Sequence, residues 1–343
     1  MPPESDEHGS TGGERNSSSR RQIPRRTVLR VAGASTALSL GAGAATATGD
    51  DGCGDGDGDG SEGSDGPAAP RRPKDIDPVF GYASAAESPC LGEASEDCFE
   101  AFGKSVRPSH EVEMYTDLPE PLLAVGGRGS LSDSTLRNVN EAAADGSVDE
   151  GELSNPNSEV TVQLPDGSSK SVTVREIAAL LAETMGFHFE PAGLRVSPGD
   201  VVLYSAEAPD HGVTAYHERH GRQHRVPDGA EPVSSPIVPV GGYWLYRFEE
   251  EGVYDFYCPP HEPFGMVHRV VVTDEEGDAP ELSIEQTGRP PQDTNNLASV
   301  LGGLDPNLPS ALAALESDAL NPERIVEEGT VSWEAVVEAY RTG

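Results

Sequence analysis

Three side chains that bind soft metal ions lie within nine residues of one another, at Cys258, His261 and Met266. A cysteine thiolate and a methionine thioether are soft ligands and imidazole is borderline, so the set favours copper that cycles between Cu(I) and Cu(II). Such a site takes two histidines, one cysteine and a weakly bound axial methionine. The second histidine must come from elsewhere in the chain, and His211 is the candidate.

Strand-like segments surround these residues. Residues 252–257 lead into Cys258 and residues 267–273 follow Met266, so the three donors share one loop between two strands. His211 precedes Cys258 by 47 residues, which leaves room for strands to cross a sandwich and return. Short strands with Gly- and Pro-rich turns predict an all-β, two-sheet Greek-key sandwich. The other predicted strands cover residues 110–115, 187–191, 194–204 and 243–248.

From Gly193 to Thr273 these motifs resemble the plastocyanin-type blue copper proteins, and especially the halocyanins of halophilic archaea. The resemblance implies a cupredoxin fold and one copper ion bound by His211, Cys258, His261 and Met266. It implies that His261 lies near the surface, in an apolar patch, as the entry or exit of the electron. The implied function is a one-electron carrier, not an enzyme, that connects membrane redox complexes at the outer face of the cell membrane.

Two residues depart from the pattern of that family. Gly212 follows the first histidine where these proteins commonly have asparagine, so we expect the amide hydrogen bond to the sulfur but no side-chain tie between the ligand loops. Pro260 has no N–H and cannot give the sulfur a second amide bond. The ligand set is unaffected by either departure.

Other copper functions require features that differ from those of a carrier. Multicopper oxidases need His-x-His pairs and a His-Cys-His run, and neither occurs in the sequence. A nitrite reductase needs a second copper set on another cupredoxin domain. A copper-sequestering protein would need neither the methionine nor a preformed sandwich. A domain of a copper redox enzyme and a sequestering protein remain the alternatives.

The net charge of −35 makes nucleic acid an unsuitable partner, because phosphate would be repelled. A heavily carboxylated surface around a β-rich core suits a protein kept soluble in concentrated salt, where charge repulsion is screened. We therefore expect a halophilic source.

The N-terminal region resembles an export signal. Residues 1–47 contain Arg25 and Arg26 ahead of a mildly apolar segment and end in Ala45-Thr46-Ala47, as in a Tat signal with a cleavage site. Residues 48–76 form an acidic Gly/Asp linker in which Cys53 is an alternative point of lipid attachment. An uncleaved N-terminal anchor is a second way to reach the membrane. We expect the protein at the cell surface or outside the cell.

The remaining cysteines are Cys90 and Cys98, which are separated by seven residues. In an exported chain a local disulfide between them and two free thiols are about equally expected. Cys53 would then stay unpaired.

The predicted cupredoxin domain covers residues 77–275, with an α/β insertion at about 117–186 and a partly helical C-terminal extension over 276–343. Within the insertion, strands at 159–164 and 170–174 predict a hairpin, and apolar residues at helical spacing predict a helix over 174–185. In the extension we expect helices at 294–301, 309–316 and 332–341, and a turn at 322–326.

The other histidines carry weaker signals. His217, His220 and His224 lie close together, which favours a solvated loop over an adventitious metal site. His268 is expected to be exposed or packed, and no partner is assigned to His110 or His188.

Overall fold

A computed structural model of the chain describes residues 75–91, 96–126, 131–144, 155–164, 166–274 and 278–343. The predicted export signal, Cys53 and the Gly/Asp repeat lie outside the described residues. Among the residues described, no helix is long and apolar enough to span a bilayer.

The strands of the described ranges fall into two five-stranded sheets and one hairpin. They are β1 Tyr82–Ser84, β2 His110–Asp117, β3 Glu159–Gln163, β4 Ser169–Thr173, β5 Gly186–Glu190, β6 Gly193–Val196, β7 Val201–Ala206, β8 Thr214–Ala215, β9 Tyr243–Arg247, β10 Gly252–Tyr257, β11 Val267–Val272 and β12 Thr330–Val331.

The helices belong mainly to the insertion and to the C-terminal extension. They are α1 Glu96–Phe99, α2 Glu120–Gly126, α3 Asp133–Ala144, α4 Val174–Glu183, α5 Leu297–Val300, α6 Ala311–Leu315, α7 Pro322–Glu328 and α8 Trp333–Thr342.

The two larger sheets form the sandwich. The first has the order β1-β9-β7-β2-β5 and the second has the order β12-β6-β11-β10-β8. Strand pairs β2–β7 and β6–β11 are parallel, as expected where Greek-key crossovers return a strand beside an earlier one, and the other pairs are antiparallel. Alternate residues from both sheets share one core: Val112, Met114, Val202, Tyr204, Trp244, Tyr246, Tyr254, Phe256, Val270 and Val272. The predicted fold class is confirmed.

The insertion replaces what would be a short hairpin loop. Strands β2 and β5 pair antiparallel with Asp117 opposite Gly186, so the intervening residues leave and re-enter the sheet at one edge of the sandwich. Inside them β3 and β4 form the predicted hairpin. Helix α4 begins at a capping box made by Thr173 and Glu176 and ends at Glu183, two residues before the predicted end.

The C-terminal extension packs against the insertion. Their apolar residues form one core that includes Leu122, Val139, Ile177 and Leu181 from the insertion and Leu297, Leu301, Leu308, Ala314 and Trp333 from the extension. The extension also completes the sandwich, because β12 pairs with β6 at the edge of the second sheet. Residues 322–328 form helix α7 where the sequence suggested a turn.

The structure contains a disulfide between Cys90 and Cys98, with an S–S distance of 2.04 Å. Cys90 packs with Phe102, Val106 and Tyr243 beside the first sheet. The segment before β2 is therefore fixed to the sandwich by covalent and apolar contacts.

Candidate metal centre

The predicted ligands His211, Cys258 and His261 come together inside the sandwich. The distance from Cys258 Sγ to His211 Nδ1 is 3.7 Å, from Cys258 Sγ to His261 Nδ1 is 3.4 Å, and between the two Nδ1 atoms is 3.2 Å. All three side chains are buried. We call this arrangement the ligand triangle.

The size of the ligand triangle fits one metal ion. A point equidistant from the three atoms lies about 2.0 Å from each, as follows from edges of 3.7, 3.4 and 3.2 Å, and metal–nitrogen and metal–sulfur bonds are about 2.0–2.3 Å long. Two imidazole nitrogens and a sulfur are also the donors that suit copper. Both the geometry and the chemistry of the residues therefore fit the predicted cofactor.

His211 is fixed from two sides. Its carbonyl accepts a hydrogen bond from the amide of Val238 at 2.8 Å, in a bridge between the two loops. Its Nε2 lies 3.1 Å from the hydroxyl of Thr116, on β2. When Nδ1 binds a metal, Nε2 carries the hydrogen and donates it to Thr116, which sets the orientation of the ring.

The loop from Cys258 to Met266 is held by its own backbone. The amide of Cys258 donates to the carbonyl of Met266, and the amide of Met266 donates to the carbonyl of His261, both at 3.2 Å. The amides of His261 and Glu262 donate to the carbonyl of Cys258. Met266 is fully buried in the same core as Cys258, and its role as the fourth ligand stays a prediction.

Burial sets the protonation of the metal-free centre. It raises the pKa of the Cys258 thiol to about 12 and lowers the pKa of His261 to about 4; the pKa of His211 also falls well below its ordinary value. The amide of Gly212 donates to Cys258 Sγ at 3.4 Å, so the expected amide hydrogen bond is confirmed. Metal binding must therefore displace one proton, that of the thiol.

His261 is largely covered, with 8% of the residue exposed, whereas the other three predicted ligands are 0% exposed, so it is the predicted ligand nearest the surface. The ring of Phe187, on β5, stacks on the His261 ring with centroids 4.1 Å apart and planes 15° apart. Phe264 stacks on Phe187 in turn. Of the predicted apolar patch, Pro259 and Pro260 are exposed, whereas Phe264 is only partly exposed.

A buried carboxylate next to His261 connects the ligand loop to the extension. Glu262 pairs with the buried Arg222 and, at 2.9 Å, with Arg289. Its Oε1 also accepts hydrogen bonds of 3.1 Å from the Tyr216 hydroxyl and from the backbone amide of Gln292. Four donors satisfy this buried carboxylate, which therefore connects the segments that carry them.

A second buried carboxylate holds the strands that flank the ligand loop. Asp255, on β10, pairs with Arg225 and Arg269 at 2.7 Å each. Burial raises the pKa of Asp255, but the two guanidinium groups outweigh this effect and hold the pKa below its ordinary value. Arg269 also donates to the carbonyl of Leu320, so this network reaches the extension as well.

The segment from His217 to His224 is not the solvated loop that was predicted. His217 and His224 are buried, with His217 Nε2 3.1 Å from the carbonyl of Ala230. His268 is packed, and its Nδ1 lies 3.0 Å from the carbonyl of Ala192. The other two histidines also have neighbours: His110 contacts Asp200, and His188 lies against Tyr115 and Trp333.

Sequence reasoning missed Thr116, Phe187 and Glu262 as neighbours of the centre. Glu262 lies between His261 and Pro263 in the ligand loop, so its position could have marked it as a buried ion pair. Thr116 and Phe187 stand at the two sides of the insertion and lie 95 and 74 residues from His211 and His261, the histidines that they contact. Only the pairing of β2 with β5 shows that both belong to the metal-binding end.

Residues 176–273 match the family model described as "Copper binding proteins, plastocyanin/azurin family". This range contains all four predicted ligands. This segment is similar to the copper-binding proteins of the plastocyanin/azurin family. The description of this family names copper, which agrees with the predicted cofactor, and helices α1 to α3 and α5 to α8 lie outside the matched range.

Two curated relatives are pseudoazurins. The chain is 37% identical to that of Methylorubrum extorquens over 86 residues, which are 25% of this chain and 52% of the relative. It is 35% identical to that of Paracoccus pantotrophus over 105 residues, which are 30% of this chain and 63% of the relative. The chain thus spans between half and two thirds of the length of these relatives.

The chain also matches solved structures of pseudoazurin over part of its length. The crystal structure from Methylobacterium extorquens AM1 is 35% identical, with 26% of this chain and 65% of that chain covered and a TM-score of 0.23.

Proposed function

We propose that this protein is a type 1 copper protein that carries single electrons between redox protein partners. The observation that carries the proposal is the ligand triangle, in which two imidazole nitrogens and one cysteine sulfur converge at about 2.0 Å from a common point. Bound copper supplies one-electron chemistry between Cu(I) and Cu(II). We assign Met266 as the weak axial ligand.

The protein's own residues supply a rigid, dry environment. Thr116 orients His211, the Gly212 amide donates to the sulfur, and backbone hydrogen bonds close the loop before any metal arrives. The ring of Phe187 covers one face of His261 and excludes water. A site that cannot rearrange changes oxidation state with little reorganisation, which favours fast electron transfer over substrate turnover.

The surface beside the centre suits short-lived contacts with a partner. Ile237 and Val240 are exposed on the loop whose Val238 amide donates to His211, and Pro259 and Pro260 are exposed next to Cys258. Small apolar surfaces of this kind support weak complexes that dissociate quickly.

The cellular setting is part of the proposal. Twin arginines ahead of a mildly apolar segment support export by the Tat route, and the net charge of −35 supports a halophilic source. We place the protein at the outer face of the cytoplasmic membrane, between a donor and an acceptor complex. Dialysis into low salt is then expected to unfold it, and full stability there would contradict the halophilic assignment.

The test is copper loading followed by anaerobic redox titration. We expect one copper per chain, an intense thiolate-to-copper absorption at about 600 nm, and a reversible one-electron transition. Nitrite or oxygen turnover by the loaded protein would favour the enzyme alternative instead. Binding of several copper ions without the absorption would favour sequestration.

A further inference from the structure

A second group of metal-binding side chains lies in the segment 217–224, outside the ligand triangle. One ligand atom from each of His217, Glu218 and His224 lies within 4.8 Å of the other two. The carboxylate oxygen is 3.2 Å from His217 Nδ1 and 2.6 Å from His224 Nδ1. The two rings are buried, whereas the side chain of Glu218 is 47% exposed, so a hydrated ion can reach the group from solvent.

The hydrogen bonds of His217 leave its Nδ1 without a hydrogen, so this atom can serve as a metal ligand. Its Nε2 is 3.1 Å from the carbonyl of Ala230, and because a carbonyl only accepts, Nε2 carries the hydrogen. The Nδ1 atom is then an acceptor, and the amide of Arg219 donates to it at 3.1 Å. Nδ1 and Glu218 Oε2 thus face each other at 3.2 Å with no hydrogen between them. A cation between these two atoms would remove the repulsion.

The position of His224 is set by the C-terminal extension. Its amide donates to the hydroxyl of Thr287 at 3.0 Å, and its carbonyl accepts from the amide of Glu285 at 3.0 Å. The short helical turn at residues 218–220 ends at Gly221, whose φ of 68° lies in the left-handed region that glycine adopts readily. The two histidines are therefore presented by backbone that is fixed on both sides.

The neighbouring charged and imidazole groups are engaged elsewhere. Arg219 lies 3.8 Å from Glu231, and Arg222 pairs with the buried Glu262. The third histidine of the segment, His220, directs its Nε2 to the carbonyl of Pro232 at 3.0 Å. The Glu218 carboxylate therefore interacts with His217 and His224.

We propose that His217, Glu218 and His224 bind a divalent cation of the Zn²⁺ or Cu²⁺ class. Two imidazole nitrogens and one carboxylate oxygen are a ligand set that these borderline ions accept. On binding, His224 changes tautomer: Nδ1 loses its hydrogen to solvent and Nε2 takes one up, so the ring stays neutral and presents Nδ1 to the ion. The ion takes the place of the Arg219 amide at His217 Nδ1. The exposed Arg219 amide is then hydrated.

An ion at this site would strengthen the support of the copper centre. The segment 217–225 also carries Arg222 and Arg225, which pair with Glu262 and Asp255 beside the ligand loop. Cross-linking residues 217, 218 and 224 restrains the backbone that places both guanidinium groups. We therefore expect the ion to raise the melting temperature of the copper-loaded protein.

The experiment is equilibrium dialysis of the copper-loaded full chain against Zn²⁺ in about 1 M salt, where weak binding to surface carboxylates is screened. We expect one zinc per chain with the thiolate absorption of copper unchanged. Glu218→Gln is expected to weaken zinc binding at least tenfold and to abolish the rise in melting temperature. Its partly exposed side chain makes this variant safe for folding, and His217→Gln is the second variant.

His220→Gln is the matched control, because this histidine lies in the same segment but contacts a carbonyl oxygen. It is expected to bind zinc as the parent does. No retained zinc, or equal affinity in the parent and in Glu218→Gln, would overturn the proposal. Because the copper absorption is read in the same samples, a failure of the copper assignment is seen separately.

Discussion

The ligand triangle and the histidine pair at residues 217–224 differ in how their ligands are brought together. In the triangle, His211 and Cys258 are 47 residues apart and meet only when two loops of the sandwich close. In the second group, all three ligand atoms come from eight consecutive residues, and one belongs to an exposed carboxylate. The buried triangle contains a soft sulfur ligand and favours a soft ion, whereas the second group contains a harder carboxylate oxygen that solvent can reach.

This difference teaches that burial and chain distance determine what a histidine cluster can do. The triangle contains a thiol whose pKa is raised by burial, so it must lose a proton inside a dry core to bind metal. The second group keeps its carboxylate at the surface, where exchange with dissolved ions is easy. The buried Arg222–Glu262 pair lies between them and links the two segments.

The largest expected effect is a loss of copper binding at the ligand triangle with no loss of zinc binding at residues 217–224. Cys258→Ser replaces the thiolate by a hydroxyl, which is a poor copper ligand, so copper affinity should fall roughly a thousandfold, or about 4 kcal/mol. The thiolate absorption should vanish while zinc binding at residues 217–224 is unchanged. Competitive copper titration and the visible spectrum check this. A blue variant would show that the sulfur of Cys258 is not the ligand.

Breaking the link between the two groups should have the next largest effect. Glu262→Gln leaves the buried Arg222 without its carboxylate, which should lower the free energy of unfolding by about 3 kcal/mol in urea denaturation. Glu328→Gln is the control, since it removes only an exposed pair with Arg324 and should cost less than about 0.5 kcal/mol. Equal losses in both variants would mean that the buried ion pair contributes no more to the free energy of unfolding than the exposed pair does.

Thr116→Val tests whether the triangle depends on the orientation of one ring. Loss of the hydroxyl at His211 Nε2 should weaken copper binding roughly tenfold, about 1.4 kcal/mol, and leave zinc binding unaffected. Thr161→Val, on the exposed side of β3, is the matched control. Copper affinity that is identical in the two variants would show that the ring is oriented by packing alone.

The last comparison concerns a buried carboxyl group whose hydrogen-bond partner is a hydroxyl rather than an arginine, and it serves as a baseline. Burial raises the pKa of Glu111 to about 7, and its Oε1 contacts only the Ser205 hydroxyl. The folded state therefore favours the protonated acid: this contribution is complete below the unfolded pKa, near about 4.5, and is lost as pH rises through about 7. A pKa raised from 4.5 to about 7 corresponds to about 3 kcal/mol, so the free energy of unfolding should fall by up to that amount over this range.

Glu111→Gln should abolish this loss, as measured by urea denaturation at several pH values. An unchanged pH profile in the variant would assign the dependence to another group, such as Glu190, whose pKa burial also raises to about 7.

The strands and the three close ligands could be read from the sequence because their signals are local. Alternating residues such as Val253 to Tyr257 mark a strand, and the spacing of Cys258, His261 and Met266 marks one loop. The stacking of Phe187 on His261 could not be predicted in this way. Phe187 reaches that ring only because the insertion brings β5 to the same end of the sandwich, and no local pattern encodes this contact.

The burial of His217 and His224 has a similar cause. Polar, histidine-rich segments are usually solvated, but here residues 285–289 of the extension pair with the segment and cover it. Contacts between regions more than 60 residues apart decide the environment, and single-residue chemistry does not reveal them.

Strand β12 has a consequence for the way the chain folds. It pairs with β6 across more than 130 residues, so the rim of the second sheet is finished only when distant parts of the polypeptide meet. Until then β6 presents unpaired amides and carbonyls to other chains, which is a route to aggregation. Closing so long a loop is also slow. Refolding should therefore be most efficient in dilute solution, where collisions between nascent sheets are rare.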